Sequence, residues 1–228
     1  MEKKIIYHTA GMTKDLVSLD RLVNSGFSTV ELDFTSTIDG KFVWEHDILP
    51  TSILSSKTKS IREKLSLEDV LDINRHRSKL MLDIKYVPRH ILYSKDFEKL
   101  LEHLNSYDEM QIQSLDLGFL SKLADKKYKN IEPGLILNVI TRGCINELGI
   151  PRIPDIGFMA ISNELWEEKN GIYVAKCNEK YPDVKKYAWT WDRRIEDEER
   201  IQNFLDKGAD GIITSSPKLV KSVLLKKD

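Results

Sequence analysis

Short apolar runs alternate with amphipathic helical stretches eight times between Lys4 and Leu225. No other feature restricts the fold as much. Strands separated by helices pair in parallel, and a parallel sheet has to be covered on both faces. The runs predict strands at Lys4 to His8, from Thr29, at Leu80 to Tyr86, Met110 to Ser114, Gly134 to Ile140, Ile156 to Ser162, Tyr187 to Trp191 and Gly211 to Thr214. Thr13 reads as the cap of a first helix whose face is Leu16, Leu19, Leu22 and Val23, ending at Gly26. Ser66 to Asp69 has the form of a capping box opening a helix to about Arg75. Ser94 and Asp116 cap two more, a weak helical stretch runs up to Gly149, and another spans Ile172 to Lys180. Ile201, Phe204 and Leu205 mark a charged helix, and Pro217 starts the last. The segment ILPTSILSSKTKSIREK has no period and reads as loop. Closure into a single (β/α)8 TIM-type barrel domain spanning 1–228 is the predicted architecture. An open doubly wound sheet is the alternative, and it lacks the glycine-rich turn such sheets use for dinucleotides.

Composition narrows the function classes. The chain has 228 residues, 41% hydrophobic and 31% charged, with a formal net charge of −1. Such a chain has no broad attraction for nucleic acid or an anionic membrane, so neither is an expected partner. Cys144 and Cys177 are too few and too far apart for a disulfide framework or a metal knuckle, and read as free thiols. The start MEKKIIYHTAG lacks the apolar core of a secretory signal, and no run approaches a membrane span, so the expected location is the cytoplasm.

The chemistry concentrates in TVELDFTSTIDGKFVWEHD, Thr29 to Asp47. Val30, Leu32 and Phe34 alternate with Glu31, Asp33 and Thr35, which puts both carboxylates on one face, about 7 Å apart. A turn at Asp39-Gly40 and a short return strand bring back His46 and Asp47. Barrel enzymes keep their chemistry at the C-terminal strand ends. There the chain offers His8, Glu31, Asp33, Asp83 and Lys85, then Gln113, Ser114, Asn138, Asn163, Trp189, Trp191 and Thr214. Three carboxylates, a lysine and two histidines at one mouth describe a hard-cation site with an acid and a base beside it. Each residue alone also has a plain reading: a solvated strand face for Glu31 and Asp33, a rim histidine for His8, an ion pair for Asp83 and Lys85, packing for the tryptophans. His76, His90 and His103 read as surface residues, and the charges from Glu196 to Arg200 as a solvated helix face.

Taken in order, these pieces resemble the glycerophosphodiester phosphodiesterase family. They are His8 after the first strand, the ELD of Glu31 and Asp33, Asp39-Gly40, His46-Asp47, SLEDVL, the LDIK of Asp83 and Lys85, IQSLD, WTW and GADGIITSSP. The resemblance covers nearly the whole chain. It implies a metal-dependent hydrolase that splits a glycerophosphodiester into a phosphomonoester and an alcohol, with a small-molecule phosphodiester as its partner. By it, His8 and His46 are the acid/base pair and Glu31, Asp33 and Asp83 hold one divalent cation, Mg²⁺ or Ca²⁺. Lys85, with Thr9, Trp189 and Trp191, contacts the substrate and its phosphate. The nucleophile in that family can be the neighbouring glycerol hydroxyl, which gives a cyclic phosphate that water then opens.

The chain departs from the family pattern at four places. Thr9 stands where the family has Arg, which removes a charge-assisted phosphate contact of about 1.5–3 kcal/mol unless another base supplies it. Lys14 and Arg142 are candidates by position. MTKDL replaces a Glu-Asn-Thr stretch, Asp83 replaces Glu, and TSSP lacks an acid at the last strand's end. Asp-x-Lys also occurs in sphingomyelinase D-type phospholipases. Two alternatives therefore stay open: a phospholipase D-like lyase or transferase on a choline- or ethanolamine-type diester, and a barrel that binds phosphodiesters or sugar phosphates without cutting them.

Overall fold

The computed structural model of the chain describes residues 3–9, 12–46, 54–75, 77–190 and 197–226. Asp47, His76 and Trp191 lie outside the described residues. Among those described, nine strands form one sheet: β1 (Lys4–His8), β2 (Thr29–Ser36), β3 (Phe42–Trp44), β4 (Lys79–Ile84), β5 (Met110–Ser114), β6 (Ile131–Leu137), β7 (Phe158–Ser162), β8 (Lys185–Trp189) and β9 (Gly211–Thr214). Eight of them pair in parallel around a closed ring, β1-β2-β4-β5-β6-β7-β8-β9 and back to β1. Within the ring every strand is paired on both sides, so the ring itself has no free backbone edge. Helices fill the crossovers, which makes this the predicted TIM-type barrel rather than an open sheet. Short β3 stands outside the ring, antiparallel to the upper end of β2, with Phe34 opposite Trp44 and Ser36 opposite Phe42.

Alternation sorts each ring strand into two rows. The outward row, including Val30, Leu32, Phe34, Leu82 and Ile112, joins the large core beneath the helices. The inward row contributes a smaller plug of Ile6, Met81, Ile136, Phe158, Ala160, Tyr187 and Ile213 that fills the barrel. The plug explains Gly134: a Cβ there would lie 2.1 Å from the ζ carbon of Phe158. Gly134→Ala is therefore expected to cost about 1–3 kcal/mol, because a close-packed ring has to move. Urea unfolding reads this as a lower midpoint with an unchanged slope, and an unchanged midpoint would show that the ring moves freely.

Several boundaries differ from the sequence expectation. Asp15, not Thr13, caps the first helix (Leu16–Val23), accepting from Ser18 N at 2.7 Å, and Leu16 is exposed. The predicted strand from Gly134 to Ile140 is β6, which starts at Ile131 because its register follows β5, Met110 against Ile131. Pro133 forgoes one ladder bond there while its carbonyl accepts from Gly157 N. Tyr187 to Trp191 is β8, which begins at Lys185. Leu80 to Tyr86 and Ile156 to Ser162 are β4 and β7 with altered ends. The stretch read as loop after the hairpin contains a helical turn, Lys59–Arg62, and further short helices occupy Arg89–Leu92 and Asn163–Glu167. The capping box at Ser66 forms with both its hydrogen bonds. Cys144 and Cys177 are free thiols, and no helix among the described residues is long and apolar enough to cross a membrane.

Candidate active site

The inward row of β2 carries Glu31 and Asp33, each 3% exposed or less, which places them inside the barrel rather than on a solvated face. Main-chain register sets Asp33 beside Asp83 on β4 and His8 beside Glu31. His8, Asp33 and Asp83 thus gather at the C-terminal mouth, where the parallel strands all end. Lys85, just past the end of β4, reaches between the two aspartates, with its Nζ 2.7 Å from Asp33 Oδ1 and 2.6 Å from Asp83 Oδ2. His8 Nε2 is 3.7 Å from Glu31 Oε2, and Trp189 meets the His8 ring edge-on with centroids 6.0 Å apart.

The return strand delivers His46 to the same mouth. Glu45 N donates to Asp33 O at 3.1 Å, which pins the residue before His46 alongside β2. The imidazole is exposed, yet close enough that its charge helps lower both Asp33 and Asp83. The turn before it is tied by Asp39, whose carboxylate accepts from Thr37 Oγ1 (2.7 Å), Ser55 Oγ (2.8 Å), Ser56 N (2.8 Å) and Ser56 Oγ (2.7 Å). Slight burial opposes its charge, but these donors hold the group well below the usual carboxylate range. A carboxylate whose folded value is depressed adds stability that is present above the unfolded value and lost as pH falls through the folded one. Asp39→Asn should accordingly cost about 1 kcal/mol near pH 7, and the gap to the parent should narrow below about pH 4. Thermal unfolding across pH measures this, and a constant gap would contradict it.

Electrostatics shows what the mouth can hold. Burial, with Asp33 and Asp83 nearby, pushes Glu31 well above the usual carboxylate range. Burial likewise raises Asp83 to about 6, with Lys85 opposing and Asp33 adding to the shift. Asp33 is lowered because Lys85 and His8 more than offset its own burial. Lys85 stays firmly protonated, its burial outweighed by Asp83, Asp33 and Glu31. One ammonium thus faces three buried carboxylates and cannot sustain all three as anions. Glu31 Oε2 and Asp83 Oδ1 also accept no hydrogen bond among the described residues. A crowded, under-compensated oxygen set with unused lone pairs fits a hard divalent cation. The tightest group comprises His8, Glu31 and Asp33, whose ligand atoms lie within 4.8 Å of one another. Asp83 stands one strand further on, held by Lys85.

The remaining expected residues divide. Thr9 is buried, its amide hydrogen-bonds the Glu31 carboxylate, and its hydroxyl has no hydrogen-bond partner among the described residues. Neither candidate for the missing base points its charge solely at the mouth. Lys14 Nζ pairs with Glu45 Oε1 at 2.8 Å, and Arg142 Nη1 with Glu168 Oε2 at 3.2 Å. His90 and His103 are exposed. Sequence reasoning missed Glu45. Although partial burial opposes its charge, hydrogen bonds from Lys14 and Lys64 lower it to about 2, and it also accepts from His46 N at 2.8 Å. Its place beside His46 was the available signal.

No family model matches the sequence, and no curated protein is similar to it at the sequence level. Solved structures are similar along the whole chain. A glycerophosphodiester phosphodiesterase from Parabacteroides distasonis superposes with a TM-score of 0.67 at 19% identity, covering 99% of this chain and 98% of that one. A phosphodiesterase from Oleispira antarctica, solved with the product sn-glycerol-3-phosphate, gives 0.66 at 16% identity over 97% and 96%. A glycerophosphodiester phosphodiesterase from Agrobacterium tumefaciens gives 0.62 at 13% over 98% and 100%. At such identities the likeness establishes a shared barrel fold, and the site must carry any statement about chemistry.

Proposed function

We propose that this chain hydrolyses a glycerophosphodiester-type phosphodiester to a phosphomonoester and an alcohol, using one divalent cation, Mg²⁺ or Ca²⁺. The observation that carries this reading is the convergence of Glu31, Asp33, Asp83, Lys85 and His8 on one barrel mouth. That mouth belongs to a fold shared with glycerophosphodiester phosphodiesterases.

Glu31, Asp33 and Asp83, with His8 beside them, would hold the cation. When bound, it would neutralise charge that builds on the non-bridging phosphate oxygens. Lys85 spends two of its three N–H donors on Asp33 and Asp83, and the third is available to a phosphate oxygen. Its firm protonation keeps that positive charge in place throughout the reaction. His8 and His46 divide the proton work: one imidazole removes a proton from the attacking oxygen and the other protonates the departing alkoxide. Trp189 walls the site beside His8 and limits the orientation of that ring. The Thr9 hydroxyl supplies a neutral contact to the diester where the family pattern has a guanidinium.

A panel of glycerophosphocholine, glycerophosphoethanolamine, lysophospholipids and glycerol-phosphate polymers, run with Mg²⁺ or Ca²⁺, tests the proposal. The expected result is release of a phosphomonoester that stops on chelation. A cyclic phosphate as the final product would assign the chain to the lyase alternative, and no turnover of any diester would refute the reading.

A further inference from the structure

We propose that the opposite, N-terminal mouth of the barrel is a second ligand site, one that takes a small oxyanion between Lys4 and Lys185. A cavity of about 660 Å³ opens there, lined by side chains from the first residues of several strands. Lys4 and Lys185 are the opening residues of β1 and β8, and Gln111 and Glu132 are the second residues of β5 and β6. Lys4 Nζ donates to Gln111 Oε1 at 2.5 Å, Gln111 Nε2 donates to Glu132 Oε2 at 2.6 Å, and Lys185 Nζ lies 3.0 Å from Glu132 Oε1. Gly157 makes room for this chain of contacts, since a Cβ there would lie 2.2 Å from Glu132 Cγ. Tyr187, fully buried, lies under Lys4, whose Nζ is 5.9 Å from the ring centroid.

Glu132 thus pairs directly with the half-exposed Lys185 ammonium, while the direct partner of Lys4 is a neutral amide. Of the other acids, Glu109 pairs with Lys79 and Asp155 with Lys127, while Asp210 accepts from the main-chain amide of Lys186 and joins Glu132 in favouring the charged form of Lys185. Burial lowers Lys4 to about 8, with Lys185 and Lys79 adding to the effect against Glu132. Closing a barrel end does not need an under-compensated lysine. An oxyanion would supply the missing charge and accept from both Nζ groups in charge-assisted hydrogen bonds. This site is remote from the catalytic mouth and independent of the reading proposed for it.

The test labels lysine amines as ¹³C-dimethylamines in the full chain and identifies the Lys4 signal by its absence in Lys4→Arg. Inorganic phosphate is titrated at constant ionic strength against chloride, with acetate as a second arm. Saturable movement of the Lys4 signal is expected, and Lys185→Met should weaken it by about tenfold, the loss of one charge-assisted contact. Hydrolysis by Lys185→Met should match the parent. Saturation by phosphate alone would make the ligand a phosphate-type anion, and saturation by both would extend it to carboxylates. A Lys4 signal that follows ionic strength alone, or an undiminished response in Lys185→Met, would overturn the proposal.

Discussion

The His8→Ala protein is expected to hydrolyse a glycerophosphodiester roughly 10²–10⁴-fold more slowly than the parent, the usual contribution of a positioned acid or base. His8 ends β1, is 3% exposed, and stands between Glu31 and the Trp189 ring. The plug around Ile6 fills the barrel interior below it and is expected to stay intact without the imidazole. The variant should therefore unfold near the parent's temperature, which separates a chemical defect from a structural one. His46→Ala should show a comparable loss, with less effect on stability since the ring is exposed. Because the two imidazoles serve the two proton transfers of a single displacement and act as a unit, the double variant should be little worse than either single one. Parent-like rates in both single variants would remove the acid/base assignment.

Asp33→Asn gives the second large effect, read in metal dependence rather than in maximal rate. The amide keeps the size of the side chain but removes the charge of Asp33, the one carboxylate of the three that is held below its usual range. The concentration of Mg²⁺ or Ca²⁺ for half-maximal activity should rise by at least about tenfold, since even residues that only support metal ligands cost that much. In metal-free protein the same change should be mild, because Lys85 keeps Asp83 as a partner at 2.6 Å. An unchanged metal titration would take Asp33 out of the ligand set.

The fold was legible where apolar runs had clean ends. β1, β5 and β9 and the helices Ile172–Lys180 and Pro217–Leu225 match their expected bounds. The strand expected from Gly134 to Ile140 lies three residues earlier, at Ile131–Leu137, because pairing with β5 and not the local apolar run sets its bounds. The cap moved from Thr13 to Asp15 since either can cap, and only the tertiary path of the chain after β1 selects one. Within the site, the inward direction of Glu31, Asp33 and Asp83 followed from period-two alternation, while their burial followed from barrel closure. Lys85 bridging two carboxylates and Glu45 collecting Lys14 and Lys64 depend on contacts between distant segments, which spacing does not encode. The N-terminal mouth was invisible for the same reason: Lys4, Gln111, Glu132 and Lys185 meet only through strand register.

Everything proposed for catalysis rests on one cation held among Glu31, Asp33 and Asp83 with His8 and His46 beside it. Anomalous diffraction from crystals soaked in Mn²⁺ tests that directly. The account predicts a single strong peak at the C-terminal mouth, about 2.0–2.6 Å from carboxylate oxygens of those residues. A mouth without a peak under saturating Mn²⁺, or an ion bound only elsewhere on the molecule, would contradict it.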